Sequence, residues 1–194
     1  MLNNYEVFQH LIKILDDNMV EEGALVECGF GYGRSFVVLC HFAVKGKRKI
    51  YGIDSFAGFP NVSKFDVSIR NPKKGQWSVR SLAESTRSID RLGIFSDGDD
   101  FELIKLIFGK KTHNPIPDEK IALLHLDLDL YSGYKHALEI FYDQIQCGGI
   151  VLFDEYNDVK WPGATLAINE FLENKNISLD QIKQFQGKHY IIKI

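Results

Sequence analysis

Acidic residues directly follow two apolar runs of the sequence. Asp127 comes after the run 121–126, and Asp154 with Glu155 comes after the run 150–153. Short, continuous apolar runs are typical of parallel strands that are buried on both faces. Because neighbouring parallel strands lie ~4.8 Å apart and finish at the same edge of a sheet, we expect these three carboxylates to converge there.

Three converging carboxylates repel one another unless a cation lies between them. Ligands that are all oxygen indicate a hard cation, Mg²⁺ first and Ca²⁺ as a substitute. No Cys/His cluster has the spacing of a zinc site. We therefore predict a metal site formed by Asp127, Asp154 and Glu155. The alternative is that Asp127 and Asp129 cap the following helix and that Asp154 serves a turn.

A glycine-rich turn carries the second group of residues. It separates the apolar run 24–28 from an apolar, helix-like run at 36–44, a geometry that presents a helix N-terminus to a ligand. An acid at the end of the next strand can accept both hydroxyls of a ribose. An acidic side chain before the turn can bind an ammonium group of the cofactor, either directly or through a water molecule. We predict a nucleoside-containing cofactor bound by Glu27, Gly29, Phe30, Gly31, Tyr32, Gly33, Ser35, Asp54 and Ser55. The G-x-G-x-G spacing alone is a weak signal, and a tight turn without a ligand is the alternative.

Apolar periodicity and breakers predict the elements that position these residues. The predicted helices are 5–17, 35–44, 81–92 (with a capping box at Ser81 and Glu84), 132–146, and one from Pro162 through 172. The predicted strands are 24–28, 49–54, 101–108, 121–127 and 150–153, with a turn at Gly148-Gly149 before the last of these. Two alternating segments, 179–185 and 189–194, predict a terminal β-hairpin around Gly187-Lys188.

Strands that alternate with helices predict a parallel sheet with right-handed crossovers. The terminal hairpin is typical of S-adenosylmethionine-dependent methyltransferases, whereas nicotinamide-dependent Rossmann domains usually continue with further βα units. The predicted fold is therefore α/β, with a doubly wound, mostly parallel seven-stranded sheet, a C-terminal antiparallel hairpin and a Rossmann-like methyltransferase topology.

The segment 55–80 is the least regular part of the chain, with two prolines, two glycines, several basic residues and Trp77. Long irregular segments of compact domains are usually functional or disordered. We predict that it forms a lid or a substrate loop, and a solvated surface loop is the alternative. The acidic stretch 97–100 predicts a turn rather than a calcium loop, because no further ligands follow at the required spacing.

Length and composition fit one globular domain, residues 1–194, with 45% hydrophobic and 25% charged residues. A net charge of −3 favours neither nucleic acid nor an anionic membrane as a partner. No apolar run approaches the ~20 residues that cross a bilayer, and the N-terminus lacks the pattern of a signal peptide. The three scattered cysteines predict free, buried thiols in a reducing cytoplasm.

Several stretches resemble the macrocin O-methyltransferase (TylF/MycF-type) family of macrolide-sugar O-methyltransferases. They lie between about residue 24 and the C-terminus, and the Leu-Asp-x-Asp-x-Tyr and Trp-Pro-Gly pieces are fairly specific. The matching stretches are 26–35 (Val-Glu-Cys-Gly-Phe-Gly-Tyr-Gly-Arg-Ser), 54–60 (Asp-Ser-Phe-Ala-Gly-Phe-Pro), 124–131 (Leu-His-Leu-Asp-Leu-Asp-Leu-Tyr), 148–156 (Gly-Gly-Ile-Val-Leu-Phe-Asp-Glu-Tyr) and 161–164 (Trp-Pro-Gly-Ala).

The resemblance implies S-adenosylmethionine as methyl donor, Mg²⁺ at the site, sugar hydroxyls as acceptors, and commonly a homodimer. It also implies that Asp127, Asp154 and Glu155 are metal ligands and that Asp54 binds the ribose. The sequence has Asp154-Glu155 where the family usually has Asp-Asp, and the stretch 110–115 replaces the family's Asp-Thr-Leu-Pro. The second departure, together with an N-terminus shorter than that of macrolide-modifying members, affects substrate binding, which leaves the acceptor open between a macrolide sugar and another sugar or glycan hydroxyl.

The leading hypothesis is a Mg²⁺-dependent O-methyltransferase in which Asp127 is catalytic, since a metal that binds a substrate hydroxyl lowers its pKa and aims the oxygen at the methyl carbon. His125, His136 and His189 are the candidate bases, although His125 inside a buried strand also fits a supporting role behind a ligand. The alternatives are a nicotinamide-dependent reductase and a non-catalytic cofactor-binding protein.

Overall fold

The computed structural model describes residues 2–95, 101–109 and 111–194. Within these ranges the helices are α1 (Leu2–Asp17), α2 (Arg34–Gly46), α3 (Leu82–Asp90), α4 (Tyr131–Phe141) and α5 (Pro162–Asn174). The strands are β1 (Ala24–Cys28), β2 (Ile50–Asp54), β3 (Phe101–Lys105), β4 (Ile121–Leu126), β5 (Ile145–Phe153), β6 (Lys183–Phe185) and β7 (Lys188–Ile192). Among the described residues, no helix combines the length and the apolar character that crossing a membrane requires.

All seven strands form one sheet in the order β3-β2-β1-β4-β5-β7-β6. Strands β1 to β5 pair in parallel, and β7 pairs antiparallel with both β5 and β6. The core residues of α1, α2 and α3 pack against one face of the sheet, and those of α4 and α5 pack against the other. The predicted doubly wound α/β fold with its C-terminal hairpin is therefore confirmed.

Local signals in the sequence also hold at several helix ends and at the hairpin. Ser81 and Glu84 form the reciprocal capping box at the start of α3, and Pro162 opens α5. The hairpin turns through Gln186 and Gly187, both with positive φ, as tight two-residue turns require. The first half of the predicted segment 179–185 is instead a 3₁₀ turn, and the strand covers only its last three residues.

Strand β5 differs from the prediction because it starts at Ile145 and not after the glycine pair. Gly148, at φ 80°, bends the strand, and its N–H donates to the carbonyl of Lys193 at 2.7 Å. The pairing with β4 slips here, so that five residues along β5 match two along β4. The glycines therefore form a bulge inside the strand, and α4 correspondingly ends at Phe141, before the predicted residue 146.

The segment 55–80 is largely irregular, with one short 3₁₀ turn at Lys64–Asp66. Strand β3 ends at Lys105, shorter than the predicted 101–108. The turn that the sequence predicts at 97–100 lies outside the described residues.

Candidate active site

A cavity of about 410 Å³ opens at the carboxyl ends of β1, β2, β4 and β5. The glycine turn and Asp54 lie on one side of it, and four carboxylic acids lie on the other. Segment 55–80 supplies a third side. Cofactors and substrates bind at this edge in open α/β sheets. The residues that line it from the predicted set are Gly29, Phe30, Gly31, Tyr32, Ser35, Asp54, Ser55, Asp127, Asp154 and Glu155.

The glycine turn joins β1 to α2 and lets two loops approach closely. A Cβ atom on Gly29 would collide with the carbonyl oxygen of Asp127, and the N–H of Asp127 donates to the carbonyl of Cys28 at 2.9 Å. A Cβ atom on Gly31 would meet no atom within 4 Å, so its backbone faces open space. The turn therefore contacts the carboxylate side of the site and leaves room for a ligand above Gly31.

Asp54 holds the glycine turn against the loop that follows β2. Its Oδ2 accepts from the N–H groups of Phe30 at 2.8 Å and Gly31 at 3.2 Å, and its Oδ1 accepts from the N–H of Phe56 at 2.7 Å. Ser55 Oγ donates to the carbonyl of Gly58 at 2.8 Å. A ribose bound by Asp54, as the sequence predicts, would share oxygens that already organise two loops.

Glu27 lies beneath the turn and is not among the residues that line the cavity; the same is true of Gly33. Its fully buried carboxylate accepts from Ser35 Oγ at 3.0 Å and pairs with His125 Nδ1 at 3.0 Å, its neighbour across β1 and β4. Burial raises the pKa of Glu27, and the bonds from His125 and Ser35 oppose that change. The Glu27 carboxylate therefore supports the turn from below, and its contact with the cofactor stays a prediction.

The carboxylic acids form two overlapping groups that share Asp127. In one group, oxygen atoms of Asp127, Asp129 and Glu155 lie within 4.8 Å of one another. In the other, Asp127 and Asp154 lie equally close to a nitrogen of His125. The predicted trio of Asp127, Asp154 and Glu155 thus meets at one edge of the sheet but is divided between the groups. Asp129 is the carboxylic acid of these groups that was not predicted as a ligand, although its position two residues after Asp127 was a usable signal.

Among the described residues, Asp154 has the most positive charge close to it of these four acids. Lys188, the first residue of β7, forms an ion pair with Asp154, and His125 Nε2 lies 3.6 Å from the same carboxylate. Burial alone would raise the pKa of Asp154, but His125 and Lys188 outweigh it and lower the pKa. Burial alone would lower the pKa of His125, but Asp154 and Glu27 raise it to about 10.

At the other acids, burial and neighbouring negative charges outweigh the opposing effects of His125 on Asp127 and of Arg70 on Asp129. Burial, followed by the nearby negative charges, raises the pKa of Asp127 to about 7 and that of Asp129 to about 8. The same causes raise the pKa of Glu155 well above its usual range, although Tyr134 Oη donates to Glu155 at 2.5 Å. Three oxygen ligands at this separation suit a hard divalent cation.

The capping alternative does not describe these acids. The N-cap residue of α4 is Leu130, which has no side-chain capping bond. The first N–H of the helix, on Tyr131, donates instead to Asp66 Oδ1 at 2.7 Å. Asp127 and Asp129 are therefore free of that structural task.

None of the three candidate bases lines the cavity as the structure describes it. His125 is buried behind the acids, His136 Nδ1 donates to the carbonyl of Ser132 on α4, and His189 packs on the ring of Tyr156. Several residues of segment 55–80 that were not predicted as site residues do line it. Among them are Arg70, whose guanidinium lies 5.9 Å from the ring centroid of Trp161, and Trp77.

Comparison with known proteins adds family information to this geometry. A family model described as macrocin-O-methyltransferase (TylF) matches residues 4–187. CalS11, a calicheamicin methyltransferase of known structure, superposes with a TM-score of 0.82 and 24% sequence identity, over 98% of this chain and 79% of that chain. This likeness shows the shared Rossmann-like methyltransferase fold.

Two curated proteins match a large part of the chain. The mycinamicin III 3''-O-methyltransferase of Micromonospora griseorubida is 26% identical over 153 residues, which are 74% of this chain and 57% of that protein. The 8-demethyl-8-(2,3-dimethoxy-alpha-L-rhamnosyl)-tetracenomycin-C 4'-O-methyltransferase of Streptomyces olivaceus is 27% identical over 143 residues, 69% of this chain and 53% of that protein. The matched part thus spans little more than half the length of either relative.

Proposed function

This chain belongs to the macrocin-O-methyltransferase (TylF) family, and we propose that it transfers a methyl group from S-adenosylmethionine to a hydroxyl of a sugar or of a sugar-bearing small molecule. The observation that carries the proposal is the cavity between the glycine turn and the carboxylates. Its two sides meet where Gly29 contacts Asp127. A donor on one side and an acceptor on the other are thereby held close together, and a bimolecular transfer gains most from such positioning.

The residues of the glycine turn fit the methyl donor. Gly31 leaves open backbone, and Ser35, Asp54 and Ser55 offer polar groups at the cavity wall. S-adenosylmethionine, when bound, supplies a methyl group on a positively charged sulfur. Four acids on the opposite side provide a negative potential that favours such a cation. In this proposal the protein positions the donor and stabilises its charge.

We assign a divalent cation, Mg²⁺ or in its place Ca²⁺, to Asp127, Asp129 and Glu155, with Asp154 beside them. The fit rests on three oxygen ligands within 4.8 Å of one another and on their raised pKa values. When bound, such a cation lowers the pKa of an acceptor hydroxyl. Asp127 belongs to both groups of ligands, so in the proposal it is the residue that orients the acceptor as well.

The named relatives support the class of acceptor. One relative is named for 3''-O-methylation of mycinamicin III and the other for 4'-O-methylation of a rhamnosyl tetracenomycin. Trp77 and Trp161 at the cavity wall provide apolar faces of the kind that sugar rings pack on. A hydroxyl on a sugar is therefore the acceptor that we propose for this chain. The homodimer and the cytoplasmic location expected from the sequence stay predictions.

The first experiment is calorimetric titration of S-adenosylhomocysteine and of Mg²⁺ into the wild-type protein and the variant Asp127→Asn. We expect micromolar cofactor binding in both proteins and Mg²⁺ binding only in the wild type. Methyl transfer from labelled S-adenosylmethionine to a panel of sugars with vicinal hydroxyls then identifies the acceptor. Cofactor binding with no Mg²⁺ binding would remove the metal, and tight NADH binding in place of S-adenosylhomocysteine would favour a reductase.

A further inference from the structure

The 3₁₀ turn at Lys64–Asp66 contains a carboxylate that is only 1% exposed, Asp66. Its Oδ2 accepts from the N–H of Ser63 at 2.8 Å and from Ser63 Oγ at 2.6 Å, which closes a capping box within segment 55–80. Its Oδ1 reaches a different element and accepts from the N–H of Tyr131 at 2.7 Å. One buried side chain therefore joins the irregular segment to the first turn of α4.

Helix α4 depends on this bond because its own N-cap residue, Leu130, offers no side chain for capping. The four residues before the helix include Asp127 and Asp129, and Leu130 N–H donates back to the carbonyl of Leu128 at 2.6 Å. A shift of the Tyr131 N–H would therefore pass directly into the loop that carries two of the proposed ligands. Asp66 acts on the site through this loop and does not line the cavity itself.

The surroundings of Asp66 leave little room for movement. A Cβ atom on Gly163 of α5 would collide with Asp66 Oδ1, so only glycine permits this approach. The ring of Phe65 lies 4.6 Å from that of Tyr131, and Ser68 Oγ donates to the carbonyl of Lys160 at 2.7 Å. Segment 55–80 is thus packed against both α4 and α5 at its middle.

Hydrogen bonds also join residues that lie near the two ends of segment 55–80. Phe59 N–H donates to the carbonyl of Gln76 at 2.8 Å, and Gly75 N–H donates to the carbonyl of Phe59 at 2.9 Å. Closed ends and a packed middle describe a compact loop rather than a free flap. Phe59, Pro60, Asn61 and Arg70 of this loop face the cavity, as does Trp77, which directly follows it.

From these contacts we infer that segment 59–76 is a fixed wall of the acceptor side, not a closing lid, and that Asp66 is the positioning residue that sets this wall and the loop 127–130 at one mutual distance. The acceptor and the divalent cation in this inference rest on the proposed function, whereas the fixed position of the wall does not. It assigns to the segment a specificity role, since a wall that does not move selects acceptors by shape.

Hydrogen exchange of the full chain tests the wall. In the wild type we expect slow exchange at the hydrogen-bonded amides of 59–76, among them Phe59, Ser63 and Gly75, and saturating S-adenosylhomocysteine should change it less than about 2-fold. In Asp66→Ala the amide of Tyr131 and the amides of 59–76 should exchange roughly 10-fold faster or more, because a buried donor loses its partner. Protection of 59–76 that appears only with S-adenosylhomocysteine would show a lid and overturn the inference.

The chain offers a matched control for a lost capping box. Glu84 caps α3 in the same reciprocal way with Ser81, but it is exposed and its bonds stay within its own helix end. Glu84→Ala should destabilise the protein less than Asp66→Ala, because its bonds are exposed to solvent, and should leave exchange at Tyr131 unchanged. Asp66→Asn, whose amide oxygen can still accept from Tyr131, should keep most of the protection there and serves if Asp66→Ala does not fold.

Binding of Mn²⁺, followed by electron paramagnetic resonance, separates positioning from simple stability. We expect roughly 10-fold weaker Mn²⁺ binding in Asp66→Ala, as for a lost partner behind a ligand, with S-adenosylhomocysteine affinity kept within about 2-fold. Unchanged Mn²⁺ affinity beside faster exchange would reduce Asp66 to a structural residue. If the wild type bound no Mn²⁺, the proposed metal would be wrong, and the exchange data alone would decide the inference.

Discussion

The two sides of the cavity differ in how their carboxylates are stabilised. On the glycine-turn side, the Asp54 carboxylate accepts from three backbone N–H groups, and Glu27 accepts from Ser35 and pairs with His125. On the other side, Asp127 and Asp129 have raised pKa values because neighbouring acids add to their burial. The carboxylates on the glycine-turn side have their partners within the fold. Those on the other side need a bound cation to balance their negative charge.

This difference indicates which side tolerates change. Donors that are fixed by the fold cost no reorganisation when a ligand binds. Carboxylates without such partners can instead bind a cation. The affinity for that cation depends on their ionisation and on each ligand being present. Alterations of the carboxylates should therefore affect cation binding strongly, whereas alterations of the turn should affect cofactor binding and stability more mildly.

The largest effect should come from Asp127→Asn, because Asp127 belongs to both groups of ligands. We expect Mg²⁺ affinity to fall about 100-fold or more, since even residues behind a ligand cost 10–100-fold. Affinity for S-adenosylhomocysteine should stay within about 3-fold. The control is Asp143→Asn, an exposed acid paired with Lys175. Equal loss of both ligands, measured by calorimetry, would break the comparison.

The second effect concerns pH. Because Asp127 and Asp129 have pKa values of about 7 and about 8, protons compete with the cation below these values. Mg²⁺ affinity should rise about 10-fold or more from pH 6 to pH 8, whereas S-adenosylhomocysteine affinity should change little. A pH-independent Mg²⁺ affinity in calorimetry would contradict the charge difference between the two sides.

Stability without cation should follow the same groups. A raised pKa means that the folded state binds more protons than the unfolded state between about pH 4 and pH 8. The free energy of unfolding should therefore fall as pH rises through this window, and Mg²⁺ should reduce the fall. Urea titrations at several pH values, with and without 10-fold excess Mg²⁺ over its Kd, measure both trends.

The third effect is that of Asp54→Ala. Three backbone N–H groups lose their acceptor, so we expect the protein to lose about 1–3 kcal/mol of stability. Affinity for S-adenosylhomocysteine should fall roughly 10-fold, with Mg²⁺ affinity retained. Asp54→Asn keeps one acceptor oxygen, so its stability and its affinity for S-adenosylhomocysteine should lie between those of the wild type and those of Asp54→Ala. Loss of Mg²⁺ binding in the folded variant would show that the two sides are not separable.

The smallest effect should come from Gly31→Ala. The added methyl meets open space, but φ of 48° strains an alanine by about 1–2 kcal/mol. Gly93→Ala has the same openness and a similar φ of 58°, and it lies outside the turn. Both variants should lose similar stability, and only Gly31→Ala should weaken S-adenosylhomocysteine binding, by a few fold. Equal cofactor affinity in the two would place the donor elsewhere.

Sequence reasoning succeeded where strand direction alone decides the arrangement. The convergence of Asp127, Asp154 and Glu155 at one edge needed only parallel strands, and the hairpin needed only alternation around Gly187. The same reasoning did not predict that Asp129 turns into the site, because that depends on a left-handed backbone, φ 61°, at a residue other than glycine.

Contacts between segments that are distant along the chain could likewise not be predicted from the sequence. The ion pair of Lys188 with Asp154 depends on the register of the hairpin against β5. The bond from Tyr131 to Asp66 joins residues 65 positions apart, and no local pattern encodes it. The pairing of Glu27 with His125 depends on register too, and it places Glu27 under the turn and away from the cavity lining.

The bulge at Gly148-Gly149 changes the register of β5 against β4. Five residues along β5 match two along β4, an odd difference, so the alternation of β5 relative to its neighbour reverses across the glycines. Residues 150–153 pair with β4 on one side and with β7 on the other, so this double register sets the directions of Asp154 and Glu155. A single residue inserted within 146–149 should therefore enlarge the bulge and leave both acids in place, whereas one inserted within 150–153 would exchange their directions.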